Sequence, residues 1–147
     1  MFDIKDDYLV AAKALEQLLK PMGDAKVLKK VYQANELADI DERSQVTPAA
    51  HLLYLGDTIP DTAQGGTTMQ IKQTWLVVLA CRLSIHESEG ELVAKALRAI
   101  VGKTVTIDGQ VLGPFLRVNS PIKNRFSKSH GYYPLAFTVQ CRFNPNL

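Results

Sequence analysis

The seventeen residues from Met69 to Ile85 alternate without a break and without a proline. The odd positions read Met69, Ile71, Gln73, Trp75, Val77, Leu79, Cys81, Leu83, Ile85, and the even ones Gln70, Lys72, Thr74, Leu76, Val78, Ala80, Arg82, Ser84. Period-2 alternation is the mark of a β-strand, because successive side chains leave opposite faces. One face is apolar along nearly its whole length; the other is apolar only in the middle. The middle is therefore expected to be covered on both faces, with Trp75, Val77, Leu79 and Cys81 on the buried side. At ~3.3 Å per residue the run spans roughly 55 Å, whereas a domain of this size is on the order of 40 Å across. Such a strand must bend or protrude.

The rest of the chain supplies partners for this strand. Residues 3–20 place Tyr8, Ala11, Ala12, Leu15, Leu18 and Leu19 on one stripe at helical period, with Asp3 as cap and Pro21-Met22-Gly23 as the stop. Residues 26–32 alternate as a strand. Residues 33–48 read as a polar connection, Leu52 to Leu55 as a short strand stopped by Gly56-Asp57, and residues 58–67 as a loop. Ser88-Glu89-Gly90-Glu91 has the form of a capping box. It opens a second helix with Leu92, Val93, Ala96, Leu97, Ile100 and Val101 on one face, and Gly102 is placed to end it. Val105 to Ile107, Asp108-Gly109 and Val111 onward predict a hairpin with an Asp-Gly turn. Residues 119–131 form a polar, basic loop, and Tyr133 to Phe143 alternate again. Two helices are too few to cover both faces of such a sheet. The order predicts an α+β fold: a mixed, mainly antiparallel sheet with the two main helices on one face, in a single domain over residues 1–147.

Composition excludes several classes of function. A net charge of +2 in 147 residues is too small to steer the whole molecule toward nucleic acid or anionic lipid. Cys81 and Cys141 each sit in an apolar run, which predicts buried free thiols. The acidic start, Met1 to Asp7, lacks the basic region of a signal peptide, and no apolar run approaches the ~20 residues of a membrane helix. These features predict a soluble, reduced, cytoplasmic protein with no membrane partner. His86 with Glu87, Glu89 and Glu91 suits a helix start better than a metal site. His51 is placed at a strand edge and His130 in the basic loop. Asp39-Ile40-Asp41-Glu42 lacks the ligand number of a calcium loop. Gly65-Gly66 lacks the following Lys-Ser/Thr of a phosphate loop, and no Gly-x-Ser-x-Gly occurs. No catalytic residue, metal or cofactor is therefore expected. The remaining candidate surface is the basic loop, with Lys123, Arg125, Phe126 and Lys128 as an assembly interface. Its basic and aromatic residues over 121–133 also fit a small nucleic-acid-binding module.

Five stretches together resemble the tail terminator (tail completion) proteins of long-tailed bacteriophages. They are Tyr8-Leu9-Val10-Ala11-Ala12, Thr47-Pro48-Ala49-Ala50-His51-Leu52-Leu53-Tyr54, Gln73-Thr74-Trp75-Leu76-Val77-Val78-Leu79-Ala80, Lys95-Ala96-Leu97 and Gly131-Tyr132-Tyr133-Pro134-Leu135-Ala136-Phe137. The resemblance implies a structural virion protein without catalytic residues, forming a hexameric ring. Such a ring caps the tail tube, ends its polymerisation and offers a surface to the head–tail connector, with DNA only passing through the lumen. The implied location is the head-proximal end of the tail, after assembly in the host cytoplasm.

Overall fold

A computed structural model describes residues 1–34, 39–40, 46–59, 68–83, 89–127 and 129–145. The long alternating run becomes β4 (Met69–Arg82), the central strand of a seven-stranded sheet. Its neighbours are β3 (Ala49–Thr58) on one side and β9 (His130–Phe143) on the other, both antiparallel. Beyond β3 lies β2 (Lys30–Ala34), parallel to it. The far edge of β9 is covered in pieces: by β8 (Arg125–Phe126), β7 (Leu116–Val118) and β1 (Asp3–Ile4), of which only β1 is parallel. The remaining strands, β5 (Val105–Ile107) and β6 (Gln110–Leu112), form a separate hairpin. The sheet is thus mixed and mainly antiparallel, in an α+β fold.

Both faces of β4 are buried in its middle, as the alternation requires. Ile71, Trp75, Val77, Leu79 and Cys81 join the core beneath helices α1 (Ala11–Asp24) and α2 (Glu89–Ile100). Leu76, Val78 and Ala80 join a smaller cluster on the opposite face with Leu53, Ala136, Tyr132 and Ile40. Both helices bury their apolar stripes in the first cluster alone, Leu15 and Leu19 from α1 and Leu92, Ala96 and Ile100 from α2. The odd face of β4 is therefore the helix side. Gln73 is the polar exception on that face. It is fully buried because its amide donates to the Tyr8 carbonyl (2.8 Å) and accepts from the Trp75 indole (3.0 Å).

Pro134 sits inside β9, where a proline removes one ladder donor. Along β9 the even residues point their backbone groups away from β4, as Arg142 shows by donating to the Phe2 carbonyl (2.8 Å). Pro134 shares that parity. It faces the gap between Tyr132, the last partner of β8, and Ala136, the first partner of β7. The missing donor falls where no strand would have accepted it.

Four sequence expectations are corrected. Asp3 does not cap a helix: it lies in β1, where its carboxylate accepts two bonds from the Arg142 guanidinium, at 2.5 and 3.0 Å. Asp7 closes the turn before α1 instead, accepting the Leu9 N–H at 3.0 Å. Pro21 does not stop α1, which runs on to Asp24 because Met22 is buried beyond it and its carbonyl accepts the N–H groups of Val27 and Leu28. The first strand consequently starts at Lys30 and not at Lys26, whose φ of 60° belongs to the turn. Gly56 does not end β3 either. At φ 119° it accommodates a register shift after Tyr54, and the strand continues to Thr58. By contrast, Gly102 ends α2 (φ 72°), and Asp108 and Gly109, both at positive φ, turn the β5–β6 hairpin as expected.

Candidate assembly surface

The basic segment is partly a hairpin and only partly a loop. β8 runs antiparallel to the start of β9, with Arg125 opposite Tyr132 and Phe126 opposite Gly131. Ser127 closes the turn: its N–H donates to the His130 carbonyl (2.8 Å) and its hydroxyl accepts the His130 N–H (3.0 Å). The Leu83 N–H donates to the Ser129 carbonyl (2.8 Å), tying the hairpin to the end of β4. Before β8, the Ser120 hydroxyl accepts the Ile122 N–H, and Ile122 packs on the helix-free face of the sheet.

Strand alternation separates residues that a loop would have presented together. Arg125 falls on the helix-free side, its guanidinium 4.9 Å from the centre of the Tyr132 ring, and His130 stacks on that same ring at 6.3 Å. Phe126 falls on the helix side, edge-on to Tyr133 at 5.7 Å, and keeps 60% of its surface exposed. Tyr133 lies over Gly131, where a Cβ would meet its ring and Leu83 at 3.1 Å; the glycine makes room for the aromatic ring. Burial, and then the charge of Glu89, raise the Tyr133 phenol above its usual range. Phe126, Leu83 and Tyr133 thus form an apolar patch beside the first turn of α2. Lys123 is exposed before β8. Lys128 lies outside the described residues.

At the opposite sheet edge, α1 and β2 enclose a groove of about 560 Å³. Leu19, Leu28 and Val31 supply its apolar floor, and Gly23 its open side, since a Cβ there would meet nothing within 4 Å. Lys13, Lys20, Lys29 and Lys30 line it, against the carboxylates of Glu16 and Asp24. Nothing local in the sequence marks this groove, because its two walls come from elements joined only by the fold.

The other candidates hold no comparable geometry. His51 is not at a strand edge: it is buried within β3 and stacked on Tyr32 at 5.1 Å. His86, Glu87, Ser88 of the capping box, Gly65-Gly66, Asp41 and Glu42 lie outside the described residues. Among the described residues no three His, Cys, Asp or Glu side chains gather as a metal site, and no helix is long and apolar enough to cross a membrane. Both cysteines are buried free thiols, and burial pushes Cys141 up to about 12.

With the α+β scaffold and its exposed apolar patches described, the comparison with known families decides the class. Residues 5–146 match the family described as phage tail terminator protein. The chain belongs to that family. A search of curated proteins found no match. Tail terminators are structural, so the chain is a structural component of the phage tail, in a family that interacts with other tail components.

Proposed function

We propose that the chain caps the tail tube as a closed homo-oligomeric ring, a hexamer. The ring ends tube polymerisation and forms the surface joined by the head–tail connector. It acts without catalysis, is assembled in the host cytoplasm, and sits at the head-proximal end of the tail, with DNA passing through its lumen. The observation that carries this reading is the family match over nearly the whole chain. Two physical features support it. The sheet ends in exposed apolar residues at one edge, Leu116 (52% exposed) and Phe126, which need cover. A cap must also present different faces to tube and connector, which a head-to-tail ring provides and a two-fold dimer does not. Lys123, Arg125, Phe126 and Lys128 belong to the assembly surface in this reading. Imaging of the head-proximal end of assembled tails tests it. A six-fold ring of this chain is expected there; a two-fold dimer, or no copy of the chain, refutes it.

A further inference from the structure

The far edge of β9 has a second gap, at Gln140. β7 pairs with β9 as far as Thr138, and β1 begins its pairing at Arg142. Gln140 shares the parity of Arg142, so its backbone N–H and carbonyl face the gap between these two short strands. Its side chain lies on the helix-free face, in register with Lys72 of β4. A cleft of about 640 Å³ opens here, with Lys72 on one wall, Leu116, Arg117 and Val118 on the other, and Thr138 and Gln140 between them. Two strand spacings of ~4.8 Å set β4 and β7 roughly 10 Å apart. Lys72 and Arg117 bring positive charge to both walls, and no carboxylate lines the cleft. Among the described residues no hydrogen bond or ion pair engages the side chains of Lys72, Arg117, Thr138 or Gln140, although Thr138 is only 8% exposed. Elsewhere on the molecule cations are matched: Arg142 by Asp3, Lys95 by Glu91 and Lys13 by Asp7.

We propose that this cleft binds an extended acidic peptide segment of a partner protein, with an Asp or Glu carboxylate held between Lys72 and Arg117. Charge sets the sign of the ligand: each of the four polar side chains is a donor, and a carboxylate is an acceptor alone. The apolar part of the wall sets its class. Leu116 and Val118 are 52% and 36% exposed beside the two cations, and they offer cover to an apolar side chain. In an extended peptide, residues two apart leave the same face, so a carboxylate and an apolar side chain at that spacing reach the cleft together. Nucleic acid matches it less well. Its phosphates bring no apolar group to Leu116 and Val118, and a duplex is too broad for walls roughly 10 Å apart, since its major groove alone spans about 12 Å. The cleft lies within one copy, so the contact does not depend on the ring.

The experiment titrates the purified full chain into a short fluorescent peptide alternating leucine and glutamate, read by anisotropy at low salt. The glutamate peptide is expected to bind, and its counterpart with glutamine in place of glutamate is not. Lys72→Gln and Arg117→Gln should each weaken binding by about fivefold, whereas Lys123→Gln, at the other end of the β9 edge, should leave it unchanged. Thermal unfolding of all three variants is expected to match the parent, because these side chains are exposed. Arg117→Glu should reverse the preference, weakening the glutamate peptide and improving a leucine–lysine one. Equal binding of the glutamine peptide, or no loss in Lys72→Gln and Arg117→Gln, overturns the proposal. So does the absence of binding at millimolar peptide, or tighter binding of a single-stranded oligonucleotide of the same charge. None of these results bears on the capping role, which the imaging of tail ends tests separately.

Discussion

Alanine placed at Gly113 and at Gly90 should move stability in opposite directions, although the chemical change is the same. Gly113 lies at φ 121°, a conformation that L side chains avoid. A Cβ there would stand 2.7 Å from the Lys103 carbonyl oxygen and 3.0 Å from Thr104 Cα, both backbone atoms. That carbonyl accepts the Phe115 N–H at 3.0 Å, while the Phe115 carbonyl accepts the Gly102 N–H at 2.7 Å. The pair of bonds holds Phe115, which is fully buried, immediately before β7. The strained φ costs about 1–3 kcal/mol, and a displaced hydrogen bond adds about 0.5–1.5 kcal/mol. Gly113→Ala should therefore destabilise by about 2–4 kcal/mol, a fall of roughly 5–15 °C in Tm for a domain of this size. Gly90 sits in α2 with nothing within 4 Å of its would-be Cβ and no unusual φ. Gly90→Ala should stabilise by about 0.4–1 kcal/mol through the unfolded state. Both are read by urea and thermal unfolding followed by circular dichroism. A neutral Gly113→Ala, or a Gly90→Ala less stable than the parent, would refute the reasoning.

Three further outcomes are expected. Gln73→Leu leaves the buried Trp75 indole N–H without its acceptor and frees Tyr8, costing about 2–3 kcal/mol in urea unfolding; a loss under half that would mean water replaces the amide. Burial and the shared Asp57 carboxylate push Tyr8 up to about 12 and raise Tyr54 as well. These phenols therefore contribute stability that is whole below pH ~10 and lost as pH climbs toward ~12. Phenolate absorbance should show them titrating at lower pH in an Asp57→Asn variant than in the parent chain. The triple replacement Lys123→Ala, Arg125→Ala, Lys128→Ala should lower stability by no more than ~1 kcal/mol while impairing tail completion. Normal tail length and head joining in that variant would remove the basic segment from the assembly surface.

How far the sequence could be read depended on the range of the interactions concerned. β4 was legible because alternation over its whole length leaves no competing period, and so were the turns at Gly102 and Asp108-Gly109, whose chemistry lies in adjacent residues. The misread positions are those where a distant partner decides. Asp3 looks like a cap until Arg142, far along the chain, takes its carboxylate. Pro21 looks like a stop until Met22 finds a buried site. Gly56 looks like a strand end until β4 pairs past it through a bulge. The basic segment reads as one loop, but its local hairpin register splits Arg125 from Phe126. The groove at the other edge had no signature at all, since α1 and β2 create it only by packing together.

The pairing order of the sheet also governs what happens during synthesis. The middle of β4 is apolar on both faces, yet one of its two neighbours is made only after α2, the β5–β6 hairpin and β7 have emerged. Until β9 arrives, a nascent chain carries a strand whose middle is hydrophobic on both faces, with one bare edge. Strand pairing of this separation is slow, and such exposed ribbons find one another between chains. Growth temperature is thus expected to act on yield at this waiting stage, before the native sheet exists, with cooler synthesis or a holding chaperone raising the soluble fraction.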